Sequence, residues 1–231
     1  MADLKVKGAL IDFGDTLAYT DEKAYDRYVE EIVAVARENR DGLGTDTVRS
    51  TFTSLYRSSS SGEMKSIEDF WSIFLGRLGV SCENGLIDRL ERIRKRFYVS
   101  SFRLYEGVPS VLSLLSKKYR LALVSNCGVG LMDAIKALGL TEFFDVIVLS
   151  YEVGVRKPDE RIYVEALEKM GLKGDECVFV ADEISDLEGA RRLGMRTLLV
   201  RQGVDTFCEA KDLGFKPDFE VERVAQIVDF L

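Results

Sequence analysis

The chain of 231 residues contains no histidine. This absence excludes Ser-His-Asp and Cys-His nucleophile systems, HExxH zinc sites and histidine general bases. Any catalysis must therefore use carboxylates, Lys, Ser, Thr, Tyr, Cys or a metal ion held by oxygen ligands.

Cysteine is scarce, and no two cysteines form a CxxC pair. The four are Cys82, Cys127, Cys177 and Cys208. Scattered cysteines of this kind predict reduced, buried thiols rather than disulfides or a metal site.

The sequence also lacks long apolar runs and an excess of positive charge. No run approaches the ~20 residues of a membrane span, and Asp3, Lys5 and Lys7 interrupt any signal peptide. The formal net charge of −7 argues against a protein that follows nucleic-acid phosphates. We expect a cytoplasmic globular protein that contacts neither membrane nor nucleic acid.

A helical period dominates residues 18–103. One helix is predicted from Asp21 to near Asp41, a second from about Thr45, a third after an N-cap at Ser66 and a fourth from about Glu83. No strand is predicted among them, so this region is expected to form an all-helical lobe.

Elsewhere, short apolar strands alternate with helices. The predicted strands are Val6–Asp12, Leu121–Asn126, Val146–Leu149, Cys177–Asp182 and Thr197–Val200. Alternation of continuous apolar strands with helices predicts a parallel sheet covered on both faces, a Rossmann-like three-layer α/β fold. We therefore expect a core of residues 1–17 plus 104–231, with residues 18–103 inserted as a helical cap domain.

In open parallel sheets the ligand site lies beyond the carboxyl ends of the strands. The polar residues at these ends are Asp12, Ser125, Ser150 and Asp182. A rigidly held Asp12 could attack phosphorus as a nucleophile, or could merely cap the following turn. Ser125, with Asn126 beside it, could bind a phosphoryl oxygen, cap the next helix, or do both.

Charged residues lie near the same strand ends. Lys157 precedes Pro158, which favours an extended loop, and its ammonium could neutralise charge on a phosphoryl group; the alternative is a solvated lysine. Asp182, Glu183 and Asp186 form an acidic cluster, either a helix N-terminus that suits its dipole or a site for a cation. Like charges in one cleft repel, and Mg²⁺ fits one or two carboxylates plus substrate oxygens.

Together these stretches resemble the haloacid dehalogenase-like hydrolase superfamily, in the branch with a helical cap after the first motif. Its four motifs occur in order as DFGDTL from Asp12, LVSN from Leu123, GVRKPD from Gly154 and VADEISDLEGA from Val180. One mild departure is Ala181, where the family commonly has Gly.

A larger departure lies in the first motif. The phosphatases of the superfamily usually carry a second Asp two residues after the nucleophile, as general acid and base. This chain has Gly14 there and Asp15 one residue later. Side chains two residues apart share a face of an extended chain, so Asp15 is expected to point away from Asp12. The resemblance implies that Gly14 still offers its carbonyl to the metal.

The resulting expectation is a Mg²⁺-dependent phosphohydrolase that acts on a small phosphorylated metabolite through an aspartyl-phosphate, with a weakened acid-base step. Asp12 and Lys157 are the expected catalytic residues, Ser125, Asn126 and Lys157 bind the phosphate, and the metal ligands are Asp12, Gly14, Asp182 and Asp186. The alternatives are a dehalogenase, a phosphonatase (although neither Lys23 nor Lys65 clearly matches its cap lysine) and a non-catalytic binding protein. The substrate, the oligomeric state and any replacement of the missing acid by Asp15 or Glu183 are left open.

Overall fold

A computed structural model describes residues 6–60, 64, 66–82, 85–202 and 214–231. Cys208, Lys65 and Glu83 lie outside the described residues. The cysteines within them, Cys82, Cys127 and Cys177, are free thiols. Cys127 and Cys177 are buried as predicted, whereas Cys82 is exposed, so its predicted burial is wrong.

The core of the fold is a six-stranded sheet in which every neighbouring pair is parallel. Its strands in spatial order are β5 (Val146–Leu149), β4 (Arg120–Ser125), β1 (Gly8–Ile11), β6 (Cys177–Ala181), β7 (Arg196–Val200) and β8 (Phe219–Val221). The five apolar strands that the sequence predicts are all present. The three-residue strand β8 was not predicted, because it is too short to show a strand pattern.

Helices cover both faces of this sheet, which confirms the three-layer α/β prediction. One face carries α5 (Val108–Leu115) and α6 (Leu131–Ala137), and the other carries α8 (Glu160–Met170) and α9 (Ile184–Arg192). The central strand shows why both faces are apolar. Ala9 and Ile11 pack into the first layer and Leu10 into the second, because side chains alternate along a strand.

Four helices between β1 and α5 surround a separate hydrophobic core that contains the fully buried Phe52 and Trp71. They are α1 (Glu22–Glu38), α2 (Thr45–Ser59), α3 (Ile67–Arg77) and α4 (Leu86–Ile93). The predicted N-cap at Ser66 is confirmed, since its hydroxyl accepts from Asp69 N at 3.0 Å. The fourth helix continues as a π-helical turn, Arg94–Tyr98.

A small antiparallel sheet lies at the two ends of this helical segment. Strand β2 (Ala18–Thr20) pairs with β3 (Phe102–Leu104), so the chain leaves the core and returns to it at adjacent positions. The prediction of no strand in residues 18–103 is therefore wrong at the two ends of this range, because three residues are too few to show a strand pattern. The division into a core of 1–17 plus 104–231 and a cap of 18–103 stays a prediction.

The remaining one-turn helix, α7 (Ser150–Val153), directly follows β5. Across the part of the chain that the structure describes, no helix combines the length and apolar character needed to cross a membrane.

Candidate active site

Asp12 directly follows the central strand β1, where the sequence analysis places a nucleophile. Its backbone N–H donates to Val180 O at 2.9 Å, which continues the strand pairing by one residue. The side chain is buried, and Phe13 N donates to its Oδ1 at 2.7 Å. The carboxylate is therefore fixed in direction at the carboxyl edge of the sheet.

Lys157 brings two carboxylates together. Its Nζ lies 2.7 Å from Asp12 Oδ1 and 2.7 Å from Asp186 Oδ2, and 5.4 Å from the centre of the Phe179 ring. The residue is only 4% exposed. Lys157 is therefore a buried member of the site and not a solvated surface lysine.

Asn126 holds the backbone of Lys157 in place. Its Nδ2 donates to Lys157 O at 3.0 Å, and its Oδ1 accepts from Lys157 N at 2.8 Å. Both ends of the amide thus fix the loop that delivers the ammonium group. A direct contact of Asn126 with substrate stays a prediction.

The other two polar strand ends differ in what their hydroxyls contact. Ser150 Oγ accepts from Cys127 N at 3.0 Å and donates to Cys127 O at 3.1 Å, so it braces the loop after β4. The side chain of Ser125 is nearly buried, and within the described residues it makes no hydrogen bond. Ser125 therefore has a hydroxyl available to a ligand, whereas Ser150 has a structural role.

The acidic cluster is split by burial. Asp182 and Asp186 are buried, while Glu183 is exposed at the start of α9. The Thr16 hydroxyl donates to Asp182 Oδ1 at 3.0 Å, and Tyr163 Oη donates to Asp186 O at 2.8 Å. Neither Thr16 nor Tyr163 was predicted as a site residue. Thr16 lies inside the motif DFGDTL, which is its only signal in the sequence.

Burial shifts the pKa values of the ionisable groups at this site, and neighbouring charges modify the shifts. Burial raises the pKa of Asp12 to about 6, and the charge of Asp186 adds to the effect although Lys157 opposes it. Burial, with a further contribution from Asp12, raises the pKa of Asp182 to about 7. Burial alone would lower the pKa of Lys157, but Asp12 and Asp186 hold it above its usual value. The site therefore has more buried carboxyl groups, Asp12, Asp182 and Asp186, than ammonium groups to pair with them.

This excess is one reason why the residues fit a cation. A second is Asp186 Oδ1, a buried oxygen with no hydrogen-bond partner in the described structure. Among the residues that the structure describes, no group of three or more His, Cys, Asp or Glu side chains is placed to hold a metal ion. Mg²⁺ needs only one or two carboxylates, since waters and phosphate oxygens complete its shell. The chemistry of the buried carboxylates therefore fits Mg²⁺, which needs only one or two of the oxygen donors that Asp12, Asp182 and Asp186 offer.

Gly14 and Asp15 lie on different sides of the turn after Asp12. Gly14 lines a cavity of about 230 Å³ together with Ser125. Asp15 instead lines an open depression of about 700 Å³ with Tyr19 and Tyr105. Its φ is 50° and its N–H donates to Ala18 O at 2.8 Å, as expected for a turn residue. The structure thus directs Asp15 away from the cavity that Ser125 lines.

The 230 Å³ cavity lies between the sheet edge and the end of α2. Gly128, on the loop after β4, allows the end of α2 to approach this loop closely, because a Cβ at position 128 would lie 2.4 Å from Ser59 Oγ. Two exposed residues missed by the sequence analysis, Arg57 on α2 and Arg156 beside Lys157, also line the cavity. The sequence offers a signal for only one of them, since Arg156 lies within the motif GVRKPD.

Comparisons with known proteins agree with this geometry. The family model described as haloacid dehalogenase-like hydrolase matches residues 47–200, a range that begins after the Asp12 motif. A glyceraldehyde 3-phosphate phosphatase of Methanopyrus kandleri is 34% identical over 124 residues, 53% of each protein. The chain thus spans about half the length of this curated relative.

Solved structures match nearly the whole chain. A 2-haloacid dehalogenase from Pseudomonas syringae has a TM-score of 0.76 at 20% identity, with 97% of each chain covered. A HAD phosphatase from Thermococcus onnurineus has a TM-score of 0.69 at 22% identity, again with 97% of each chain covered. At these identities the likeness is one of fold, and it does not separate the two chemistries.

Proposed function

The chain belongs to the haloacid dehalogenase-like hydrolases, and on that premise we propose that it is a Mg²⁺-dependent phosphohydrolase acting on a small phosphorylated metabolite. The observation that carries the proposal is the arrangement at the sheet edge. One ammonium group, Lys157 Nζ, lies 2.7 Å from two carboxylates, and a third carboxylate is buried beside them. Such a surplus of buried negative charge calls for a cation.

In the proposed reaction Asp12 is the nucleophile. Its Oδ1 already accepts from Phe13 N and pairs with Lys157, so Oδ2 is the oxygen left to attack phosphorus. The new Oδ2–P bond forms as the bond from phosphorus to the leaving oxygen breaks, which gives an aspartyl-phosphate. Water then attacks phosphorus, releases inorganic phosphate and regenerates Asp12.

The remaining residues have supporting roles. Ser125 donates its hydroxyl to a phosphoryl oxygen, Lys157 offsets the charge that spreads over the phosphoryl group, and Asn126 holds Lys157 in position. Asp12, Asp182 and Asp186, with the Gly14 carbonyl, would hold Mg²⁺. When bound, Mg²⁺ neutralises the negative charge of the carboxylates and of the phosphoryl group.

The missing acid at position 14 shapes the expected substrate range. Asp15 lines a different depression from Ser125, so it is poorly placed to protonate a leaving oxygen. General acid-base catalysis is typically worth ~10²–10⁴-fold. The proposed enzyme is therefore slow on substrates whose leaving group needs a proton.

The alternatives have less support. A phosphonatase would need a lysine in the cap that reaches the site, but Lys23 lines the depression on the Asp15 side and Lys65 lies outside the described residues. A dehalogenase would share Asp12 and gains support from the lack of an acid at Gly14, yet it does not account for three buried carboxylates. A binding protein would not need the precise support given to Lys157.

The test is hydrolysis of 4-nitrophenyl phosphate with Mg²⁺ and with excess chelator, alongside halide release from 2-chloropropionate. We expect Mg²⁺-dependent phosphate release, no halide release, and loss of turnover in Asp12→Asn with unchanged thermal unfolding. The matched control is Asp41→Asn, an exposed carboxylate in the loop between α1 and α2, which should retain activity. Full activity in chelator together with halide release would establish the dehalogenase instead.

A further inference from the structure

Two arginines line the cavity that contains Ser125, next to the buried carboxylates of the candidate active site. Arg57 comes from the last turns of α2 and Arg156 from the loop that carries Lys157. Both line the 230 Å³ cavity that contains Ser125, and both also line an outer cavity of about 630 Å³. They therefore lie at the junction between the inner cavity and solvent, on opposite walls.

Neither guanidinium group has a counter-charge in the described part of the chain. No ion pair involves Arg57 or Arg156 there, whereas Lys157, the residue next to Arg156, pairs with two carboxylates. Among the described residues that line the two cavities there is no Asp or Glu. Within the described residues, no carboxylate that lines either cavity is therefore available to neutralise the two arginines.

The wall of the outer cavity is also polar. Ser50, Thr53, Ser54, Arg57 and Ser58 line it, and their spacing places them on one face of α2. Arg156, on a loop of the core, lines the same cavity as this hydroxyl-rich face of α2. The Ser50 and Ser58 hydroxyls already donate to carbonyl groups of their own helix, so Thr53, Ser54 and the two arginines are the donors that suit a ligand with anionic oxygens.

The size of the inner cavity limits what can reach the arginines. Cavities that bind drug-sized ligands are about 300–1,000 Å³, so 230 Å³ accommodates only a short molecule. A phosphoryl group at Ser125 leaves room in this cavity for a chain of only a few carbon atoms. The far end of such a substrate would lie between Arg57 and Arg156.

We propose that this site selects a short phosphate monoester whose far end carries a second anionic group, bound between Arg57 and Arg156. The inference rests on the proposed phosphohydrolase function and adds the substrate class to it. Arginine suits the task because its planar guanidinium pairs with carboxylate and phosphate oxygens in bidentate fashion. The second anion is either a carboxylate or a second phosphate, and both have this chemistry.

The test uses substrates that differ only at the far end. Glycerol 3-phosphate and glyceraldehyde 3-phosphate end in neutral groups, 3-phosphoglycerate ends in a carboxylate, and glycerol 1,3-bisphosphate ends in a second phosphate. The readout is the ratio of kcat/KM for each doubly anionic substrate to that for glycerol 3-phosphate. We expect the ratio to exceed one in the wild type for at least one of the two anions.

Substitutions then assign the preference to the arginines. In Arg57→Met/Arg156→Met the ratio should fall at least roughly tenfold, as expected for loss of hydrogen bonds to a charged group. The matched control is Arg77→Met, an exposed arginine of α3 that lines neither cavity, and its ratio should equal that of the wild type. A preference for only one anion identifies that anion as the ligand of the pair.

The outcomes separate this inference from the proposed function. If the wild type hydrolyses 4-nitrophenyl phosphate with Mg²⁺ but shows no preference, or if the double variant keeps the preference, the arginine inference is wrong and the phosphohydrolase stands. If no phosphate ester is hydrolysed, the proposed function fails. Calorimetric binding of 3-phosphoglycerate against glycerol 3-phosphate then decides, because an arginine-dependent difference supports the anion site and equal binding refutes it.

Discussion

Replacing Gly14 with Asp tests the feature that most distinguishes this site. Gly14 has an ordinary backbone conformation, and a Cβ built on it meets no atom within 4 Å. It lines the same cavity as Ser125, so a carboxyl group at position 14 would face the leaving oxygen. The substitution should therefore fold without strain and add an acid where the wild type has none.

The size of the gain is bounded by the chemistry. One positioned acid is typically worth ~10²–10⁴-fold, which corresponds to about 3–5 kcal/mol of the barrier. The three buried carboxylates Asp12, Asp182 and Asp186 should raise the pKa of the new side chain, which keeps it protonated and able to donate. An alkyl phosphate leaves as a strongly basic alkoxide and needs this proton, whereas an aryl phosphate leaves as a weakly basic anion.

The assay compares glycerol 3-phosphate with 4-nitrophenyl phosphate at saturating Mg²⁺ in the wild type, Gly14→Asp and Gly14→Asn. Turnover of the alkyl ester should rise more than that of the aryl ester in Gly14→Asp, and Gly14→Asn should show no such difference because it cannot donate an acidic proton. Equal wild-type rates on the two esters would refute the reasoning, since another group would then supply the proton. Asp15→Asn and Glu183→Gln would identify it.

Three further outcomes follow from contacts around the site and in the fold. Thr16→Val removes the donor to Asp182 Oδ1 and should weaken Mg²⁺ binding by roughly 10–100-fold in calorimetry, with Thr16→Ser restoring it. Arg94 is buried and pairs with Glu91 on α4 and with Asp133 on α6 of the core, so Arg94→Met should lower the free energy of unfolding in urea by about 3–5 kcal/mol. The control Arg89→Met breaks an exposed pair and should lower it by about 0–1 kcal/mol. Equal losses in the two variants would contradict the argument. Burial alone would raise the pKa of Asp218, but the Thr197 and Arg191 donors lower it. Its stabilisation is therefore present above pH ~4 and is lost as the pH falls through the folded-state pKa; Asp218→Asn should destabilise the protein at pH 7 by about 1–3 kcal/mol, and unfolding curves that show the same loss at pH 3 would contradict this.

The elements with a strong pattern were predictable from the sequence, and the short ones were not. The five apolar strands of the sheet and the helices between them are present near their predicted positions. Strands β2, β3 and β8 have three residues each, so they show neither alternation nor a buried run. They form because the surrounding chain brings them to a partner.

For the site, the sequence locates the groups but not their pairing. Asp12, Asp182 and Lys157 follow from strand ends and from the four motifs, because parallel strands end at one edge of a sheet. The clamp of Asn126 on the Lys157 backbone joins two loops that are 31 residues apart. Arg57 lies in a helix whose sequence resembles any amphipathic surface helix, so its place at the cavity could not be deduced without the packing of α2 on the core.

Two opposite charge patterns, one at the sheet edge and one in the cavity beside it, connect the proposals. At the sheet edge, Asp12, Asp182 and Asp186 outnumber Lys157, so this end should repel a phosphoryl group until a cation offsets it. In the cavity, Arg57 and Arg156 face no carboxylate among the described lining residues, so this end attracts anions without a metal. On the two proposals, Mg²⁺ would act on the phosphoryl end of a substrate and the arginines on its far end. Mg²⁺ should control turnover of every phosphate ester, whereas the arginines should control only the choice among them.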